Sequence, residues 1–220
     1  MKRIVVFTGA GISAESGLRT FRDSNGLWEQ YRIEDVATPQ AWQRNPEQVT
    51  HFYNERRKQV AAAQPNQAHK ALLLLEAKFK VNIITQNIDD LHERAGSKNI
   101  LHLHGEIMKV RSEVDSRLVY PVSKLELNVH ETNDLGHRLR PHIVWFGELV
   151  PKMDEAILLA QQADIFMVVG SSLEVYPAAG LIDYVPQQAV KYIIDPNAKS
   201  LNQIVNLNTI NLKAGIGVPQ

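Results

Sequence analysis

Cysteine is absent from this chain of 220 residues. That absence rules out disulfides, thiolate zinc sites and a cysteine nucleophile. An excess of charge of one sign is missing too. The 24 Lys and Arg residues balance 24 Asp and Glu, so no global basic field points to nucleic acid. Long apolar runs are also lacking. No stretch approaches the length of a membrane span, and the short apolar run after Arg3 ends in a glycine turn rather than a secretory cleavage site. No internal repeat or low-complexity tract is present. The expectation is a soluble, cytoplasmic protein without a nucleic-acid or membrane partner. Its length suits one sizeable core with a small insertion. Nothing in the sequence fixes an oligomeric state, and a monomer is compatible with it.

What the chain does carry begins at its start. An apolar, β-branched run over residues 4–8 passes directly into Gly9-Ala10-Gly11-Ile12-Ser13-Ala14. This is the Gly-x-Gly-x-x-Ala turn of a dinucleotide-binding βα unit. Gly9 permits the tight turn, Gly11 lets backbone approach a pyrophosphate, and Ala14 lets the helix pack close to the strand. Amides at the helix start then face the anion. A tight strand-to-helix corner with no ligand would use the same residue types, so the turn alone does not decide.

Further apolar runs at 81–85, 100–103, 143–146, 165–170 and 190–195 read as parallel strands buried on both faces, and 204–212 as an edge strand. Helical patterns at 46–62, 66–78, 153–162 and 177–184 lie between them. The alternation predicts an α/β fold with a Rossmann-like, doubly wound parallel sheet. Residues 19–42 and 111–141 break the rhythm. Long irregular stretches in α/β domains are often functional loops or inserted modules. The expected organisation is a single catalytic domain over 1–220. Its large lobe takes residues 1–18, 63–110 and 141–220; a small inserted lobe takes 19–62 and 111–140.

The expected carboxyl ends of the strands, where open α/β sheets bind ligands, are unusually polar. They run into Gln86-Asn87-Ile88-Asp89, His104-Gly105-Glu106, Gly147-Glu148, Gly170-Ser171-Ser172 and Asp195-Pro196-Asn197. One such end is readily a turn or a helix cap; all of them together point at one crevice. His104 is the acid/base candidate because imidazole titrates near neutrality. His102, two residues earlier, would share its face, but only His104 stands at the strand exit. Asn87 and Asp89 suit a carboxamide and a ribose, or helix caps. An ordinary dehydrogenase is disfavoured. Glu34 and Asp35 lie where the ribose-binding acid would be expected, but no apolar strand precedes them. A cofactor cleaved at its glycosidic bond fits better than one exchanging hydride.

At this point the motifs together resemble the sirtuin family of NAD-dependent protein lysine deacylases, and within it the bacterial members that prefer acidic acyl groups. The matching runs are Gly9-Ala-Gly-Ile-Ser13, Gly17-Leu-Arg-Thr-Phe-Arg22, Thr85-Gln-Asn-Ile-Asp89, His104-Gly105, Val144-Trp-Phe-Gly-Glu148 and Gly170-Ser-Ser-Leu173. They stand in family order across nearly the whole chain. The resemblance implies that Gly9, Ala10, Gly11, Arg22 and Gln86 contact NAD, that Phe21 covers the reacting centre, and that Asn87 and Asp89 line the nicotinamide and ribose pocket. Gly170, Ser171, Ser172, Asp195 and Asn197 would hold the adenosine end. Val144, Phe146, Gly147 and Glu148, with Val175, Tyr176 and Pro177, would clamp an acylated protein substrate as a strand on either side. The implied chemistry has two stages. The acyl oxygen displaces nicotinamide, and His104 then acts as general base on a ribose hydroxyl. The products are lysine, nicotinamide and 2′-O-acyl-ADP-ribose.

Tyr53 and Arg56 are three apart and share a helix face. On spacing alone, a solvated face and a carboxylate clamp are equally good readings, and Arg57 and Lys58 look solvated. The resemblance tips the balance to the clamp, and so to succinyl-, malonyl- or glutaryl-lysine, with acetyl-lysine alongside. Most sirtuins bind structural zinc through four cysteines. Here residues 111–140 hold none, and His130 and His137 make no replacement, so the expectation is no zinc. Leu118, Val119, Tyr120, Val122, Leu125, Leu127 and Val129 would instead form an apolar hairpin. Thr20 replaces a frequent aspartate, and Asp195 a usual asparagine; the latter favours NAD over NADP. The competing readings are a sirtuin-like mono-ADP-ribosyltransferase or NAD hydrolase, and a non-catalytic NAD- or acyl-lysine-binding module.

Overall fold

The structure is a computed structural model that describes residues 1–19, 27–28 (backbone only), 31–198 and 203–220. In chain order its strands are β1 (Arg3–Thr8), β2 (Leu27–Trp28), β3 (Tyr31–Arg32), β4 (Lys80–Thr85), β5 (Ile100–His102), β6 (Gly105–Ser112), β7 (Val119–Pro121), β8 (Leu139–Ile143), β9 (Ile165–Val169), β10 (Val190–Ile194) and β11 (Leu207–Ile210). The α-helices are α1 (Gly11–Ala14), α2 (Ile33–Val36), α3 (Pro39–Arg44), α4 (Pro46–Ala62), α5 (Gln67–Leu75), α6 (Leu91–Ala95), α7 (Met153–Gln161) and α8 (Ala214–Gly217), with a 3-10 helix at Ala178–Tyr184.

Six strands form one parallel sheet in the order β11-β10-β9-β1-β4-β5. Counted along the chain within that sheet, the order is 6-5-4-1-2-3, that of a Rossmann fold. Strand order reverses between β1 and β9, and the crevice lies there. The strands read as unbroken apolar runs because both faces are covered. In β1, Val5 and Phe7 face one core with α7 and the 3-10 helix, through Ala156, Ala160 and Leu181. Ile4 and Val6 face the other with α5 and α8, through Ala68, Leu72 and Ala214. Period-two alternation gives each strand one residue for each core.

The run at 143–146 is not a strand of this sheet. Ile143 ends β8, which pairs antiparallel with β6 in a separate three-stranded sheet of order β7-β6-β8. This second sheet spans Gly105–Ser112 to Leu139–Ile143, wider than the expected inserted stretch at 111–140. Helices α2 to α4 pack on it around Trp42, Val49, Phe52, Tyr53, Ile107 and Trp145. Helix α4 starts where Asn45 accepts from the Gln48 amide and Pro46 occupies the first turn, a cap and a preset φ in the preferred places.

The expected hairpin over 118–129 does not form. Val119–Pro121 pairs with β6 instead, and residues 125–129 are not a strand. Helix α4 holds them from below. Asn54 donates to Leu127 O (2.9 Å) and accepts from Leu127 N (3.0 Å). Arg57 Nε donates to Ile107 O (2.9 Å), and its Nη1 donates to Leu125 O (2.9 Å) and Asn54 Oδ1 (2.8 Å). The reading of Arg57 as solvated is thus corrected: it is fully buried. Its carbonyl partners come from segments far along the chain, which local polarity could not announce. At the sheet's other end Arg138 bonds the Glu113 carboxylate through both Nε and Nη2.

Candidate active site

The crevice is built first by backbone. Gly9 N donates to Val169 O (3.0 Å) and Gly11 N to Gly170 O (2.8 Å), so the turn after β1 lies against the turn after β9. A Cβ on Gly9 would meet Gly170 O at 2.7 Å, and one on Gly11 would meet Gly170 Cα at 2.7 Å. Gly170 itself has φ +61°, and its Cβ would strike Ile12 N at 2.2 Å. Gly11 is therefore required by the neighbouring turn, a reason the local motif does not contain. Ala14 is exposed on a single-turn helix instead of packing on the strand. The Ala10, Ser171 and Ser172 amides donate to no described residue, and Gln86 Nε2 donates to Ser171 Oγ (3.0 Å). Amides with no described acceptor, beside serine hydroxyls and small residues, are a donor set that fits phosphate and ribose.

The turn after β4 is over-determined. Asn87 N donates to Thr85 Oγ1 (3.0 Å), and Asn87 Nδ2 donates to Gly9 O (3.1 Å) and Ser13 Oγ (3.2 Å). With its amide hydrogens spent, the side chain offers its Oδ1 as an acceptor. Asp89 accepts from Ser13 Oγ (3.0 Å) and Leu91 N (3.2 Å). Burial pushes its carboxyl up, against those two donors.

His104 Nδ1 lies 3.0 Å from Gln86 O. A carbonyl only accepts, so Nδ1 carries the proton and Nε2 keeps a lone pair. Burial holds the ring's pKa below 6.5, with the Gln86 bond opposing. It is a neutral base at physiological pH.

Tyr53 and Arg56 come together on α4, both buried. Tyr53 Oη accepts from Trp145 Nε1 (3.0 Å), and burial raises its pKa far enough to keep it a phenol. Arg56 donates from Nη1 to Gln59 Oε1 (3.1 Å) and from Nη2 to Arg19 O (3.2 Å). Beyond β8, Val144 N bonds His104 O (2.9 Å) and Phe146 N bonds Ala37 O (3.0 Å). Gly147 takes φ +89°. Glu148 turns its carboxylate inward, where it accepts from Arg140 Nη1 (2.8 Å), Arg111 Nη2 (3.2 Å) and Trp145 N (2.8 Å). The two guanidinium groups and that amide hold its pKa down against burial. These bonds tie Glu148 to β6, β8 and Trp145. Phe146, Val175 and Tyr176 are exposed at the rim. Beyond β10, Asp195 accepts from Asn197 N (2.8 Å).

The turns after β1, β4, β9 and β10, His104 and the segment after β8 border one cleft of about 640 Å³, within the range of small-molecule sites. It gathers Gly9, Ala10, Gly11, Gln86, Asn87, Asp89 and His104 with Gly170, Ser171, Ser172, Asp195 and Asn197. Tyr53, Arg56, Val144, Phe146, Gly147, Glu148, Val175, Tyr176 and Pro177 line it too. Phe21 and Arg22 lie outside the described residues. Sequence reasoning missed Ser13 and Trp145. It passed over His102, whose period-two spacing from His104 was the available signal.

A model of the Sir2 family matches residues 9–177. The chain belongs to the Sir2 family. Among curated relatives of this Sir2 chain is the "NAD-dependent protein deacylase" of Helicobacter pylori strain 26695, 53% identical over 214 residues, 97% of this chain and 93% of that one. Another protein of that name, from Bacteroides thetaiotaomicron, is 48% identical over 225 residues, 100% of this chain and 96% of that one. Among solved structures, a Sir2 homologue–NAD complex superposes with a TM-score of 0.89 at 41% identity, covering 99% of this chain and 87% of that one. Among the described residues, no helix of this Sir2 chain is long and apolar enough to cross a membrane.

Proposed function

We propose that this chain is an NAD-dependent protein lysine deacylase whose acyl pocket takes succinyl, malonyl and glutaryl groups, with acetyl alongside. The relatives of that name, at about half identity over nearly the whole chain, support the general activity. The observation that carries the mechanism is His104: a buried, neutral imidazole, its tautomer set by Gln86 O, on the cleft that also holds Asn87 and Asp89.

Bound NAD would supply a ribose carbon that takes the acyl oxygen as nicotinamide leaves, and a hydroxyl that then receives the acyl group. The Ala10, Ser171 and Ser172 amides and the two serine hydroxyls hold its phosphates and riboses. Asp195 and Asn197 take the adenosine end, where a carboxylate suits ribose hydroxyls and repels a 2′-phosphate. Asn87 and Asp89 hold the nicotinamide end, and by the family resemblance Arg22 contacts the cofactor and Phe21 covers the reacting centre. Phe146, Gly147, Val175 and Tyr176 grip the peptide by its backbone. His104 takes up the ribose hydroxyl's proton at Nε2.

Acyl preference rests on Tyr53 and Arg56. A buried guanidinium beside a phenol that stays protonated offers a charged fork and a neutral donor to a terminal carboxylate. The test is one peptide bearing acetyl-, malonyl-, succinyl- or glutaryl-lysine, incubated with and without NAD and read by mass spectrometry. Free lysine and acyl-ADP-ribose, fastest from the acidic acyl groups, are expected. ADP-ribose without deacylated peptide would overturn the reading in favour of a transferase or hydrolase of NAD.

A further inference from the structure

The mechanism above uses one of the two histidines where β5 meets β6. The other, His102, is buried, and its Nδ1 lies 3.1 Å from Asn87 O. Its Nε2 lies 2.7 Å from Glu93 Oε1, with Glu106 Oε1 at 3.9 Å. Both ring nitrogens therefore face groups that only accept. A neutral imidazole has one N–H and would set its remaining lone pair against an oxygen. The ring that satisfies both contacts is the imidazolium. His104 and His102 thus grip consecutive carbonyls, Gln86 O and Asn87 O, from one edge of the sheet.

We propose that His102 is a positioning residue for the reaction: as an imidazolium tethered to Glu93, it holds the Asn87 carbonyl and so fixes the Asn87 side chain at the nicotinamide end of the cleft. This rests on the assignment of Asn87 to the cofactor made above. The other bonds to Asn87 come from Thr85, Gly9 and Ser13, none of which titrates. Among the described residues, His102 is the titratable group that bonds Asn87 directly.

The charged and titratable groups around the ring are Glu93 and His92 on α6, Asp89 on the turn before it, and Glu106 on β6. Glu106 is itself paired with Lys109 and lies near Lys152. Burial opposes the charged ring. The Glu93 hydrogen bond, the Glu93 and Glu106 charges and the Asn87 carbonyl outweigh it, so the ring holds its proton to higher pH than an ordinary histidine. Positioning is intact below that pKa and lost as pH rises through it.

The test follows nicotinamide release from NAD and an acyl-lysine peptide between pH 6 and 10. Glu93 is exposed, so Glu93→Gln leaves folding intact. It should move the alkaline limb of kcat/KM for NAD down by about one pH unit, the usual effect of losing an adjacent charge. His102→Phe should lower kcat for nicotinamide release roughly tenfold or more while the peptide KM stays put. His102→Gln supplies a neutral donor, and should recover much of that loss with a flatter alkaline limb. In proton-detected nitrogen spectra, both ring nitrogens of His102 should keep their protons to higher pH in the wild type than in Glu93→Gln. A wild-type alkaline limb in Glu93→Gln, or undiminished turnover in a folded His102→Phe, would overturn the proposal alone. A wild-type protein that never releases nicotinamide would overturn it together with the function it rests on.

Discussion

A buried imidazole is a useful base only if it is uncharged when the substrate arrives. Burial lowers the His104 pKa, so the neutral form persists through neutrality and into mild acid. The acid limb of kcat/KM should therefore lie below pH 6.5, and activity should fall only as pH drops through it. His104→Ala should cost about 10²–10⁴-fold in acyl transfer, the usual worth of a positioned base. A steady-state pH profile of both proteins checks this, and an acid limb well above 6.5 would assign the base elsewhere. Arg56 poses the matching question for the substrate. Losing its charge-assisted bonds should remove about 1.5–3 kcal/mol from the transition state for succinyl-lysine, roughly ten- to over a hundredfold in kcat/KM. Arg56→Met should leave acetyl-lysine nearly unaffected, so the ratio of the two rates is the measurement. His104 and the Tyr53–Arg56 pair were legible because residue type and local spacing carry their chemistry. Trp145, which orients Tyr53 from 92 positions away in the chain, and the inward turn of Glu148 were not. Both depend on which strands meet, and no local pattern states that.

At the scale of elements, α4 does two jobs with two faces. One presents Tyr53 and Arg56 to the cleft; the other uses Asn54 and Arg57 to hold the segment after β7. In this chain, where cysteine cannot hold a zinc, those hydrogen bonds are among the ties of the second lobe. Arg57→Met keeps much of the side-chain volume but strands the Ile107 and Leu125 carbonyls. A buried acceptor left unmade costs about 1–3 kcal/mol, and about 1 kcal/mol lowers Tm by roughly 2–4 °C at this size. Arg57→Met should melt several degrees lower, whereas Lys58→Met, removing exposed ion pairs with Glu55 and Glu126, should change Tm by a degree or two at most. Equal melting points for the two would remove Arg57 from this role. The bounds of α4 coincide with the helical pattern expected over 46–62. The sheet β7-β6-β8 was not legible in the sequence. Its strands carry Glu106, Lys109, Arg111 and Arg140, and Pro141 sits within β8, where proline ordinarily argues against a strand.

The whole molecule was most legible in its large sheet, because burial on both faces forces continuous apolar strands whatever the ligand. The same burial traps ionisable groups, and these set how the protein responds to acid. His69 and His142 are held neutral by burial, each with its pKa pushed down to about 4, and His92 lies well below 6.5 for the same reason. Unfolding restores the ordinary value near 6.5. Between those limits the unfolded chain binds more protons than the folded one, so stability falls as pH drops from about 6.5 towards 4. Each such proton contributes a slope of about 1.4 kcal/mol per pH unit. His69 gives the cleanest test because it lies outside the cleft and is fully buried. Its Nδ1 accepts from Asn66 N (3.3 Å) and completes the cap of α5, so protonation both charges a buried ring and removes the acceptor. His69→Gln keeps a polar acceptor without a titrating group. Urea midpoints measured from pH 7 to 4 should show a shallower acid decline than the wild type, by close to one proton. Parallel declines would mean that His69 is already protonated in the fold, and that the acid sensitivity lies with His92 and His142.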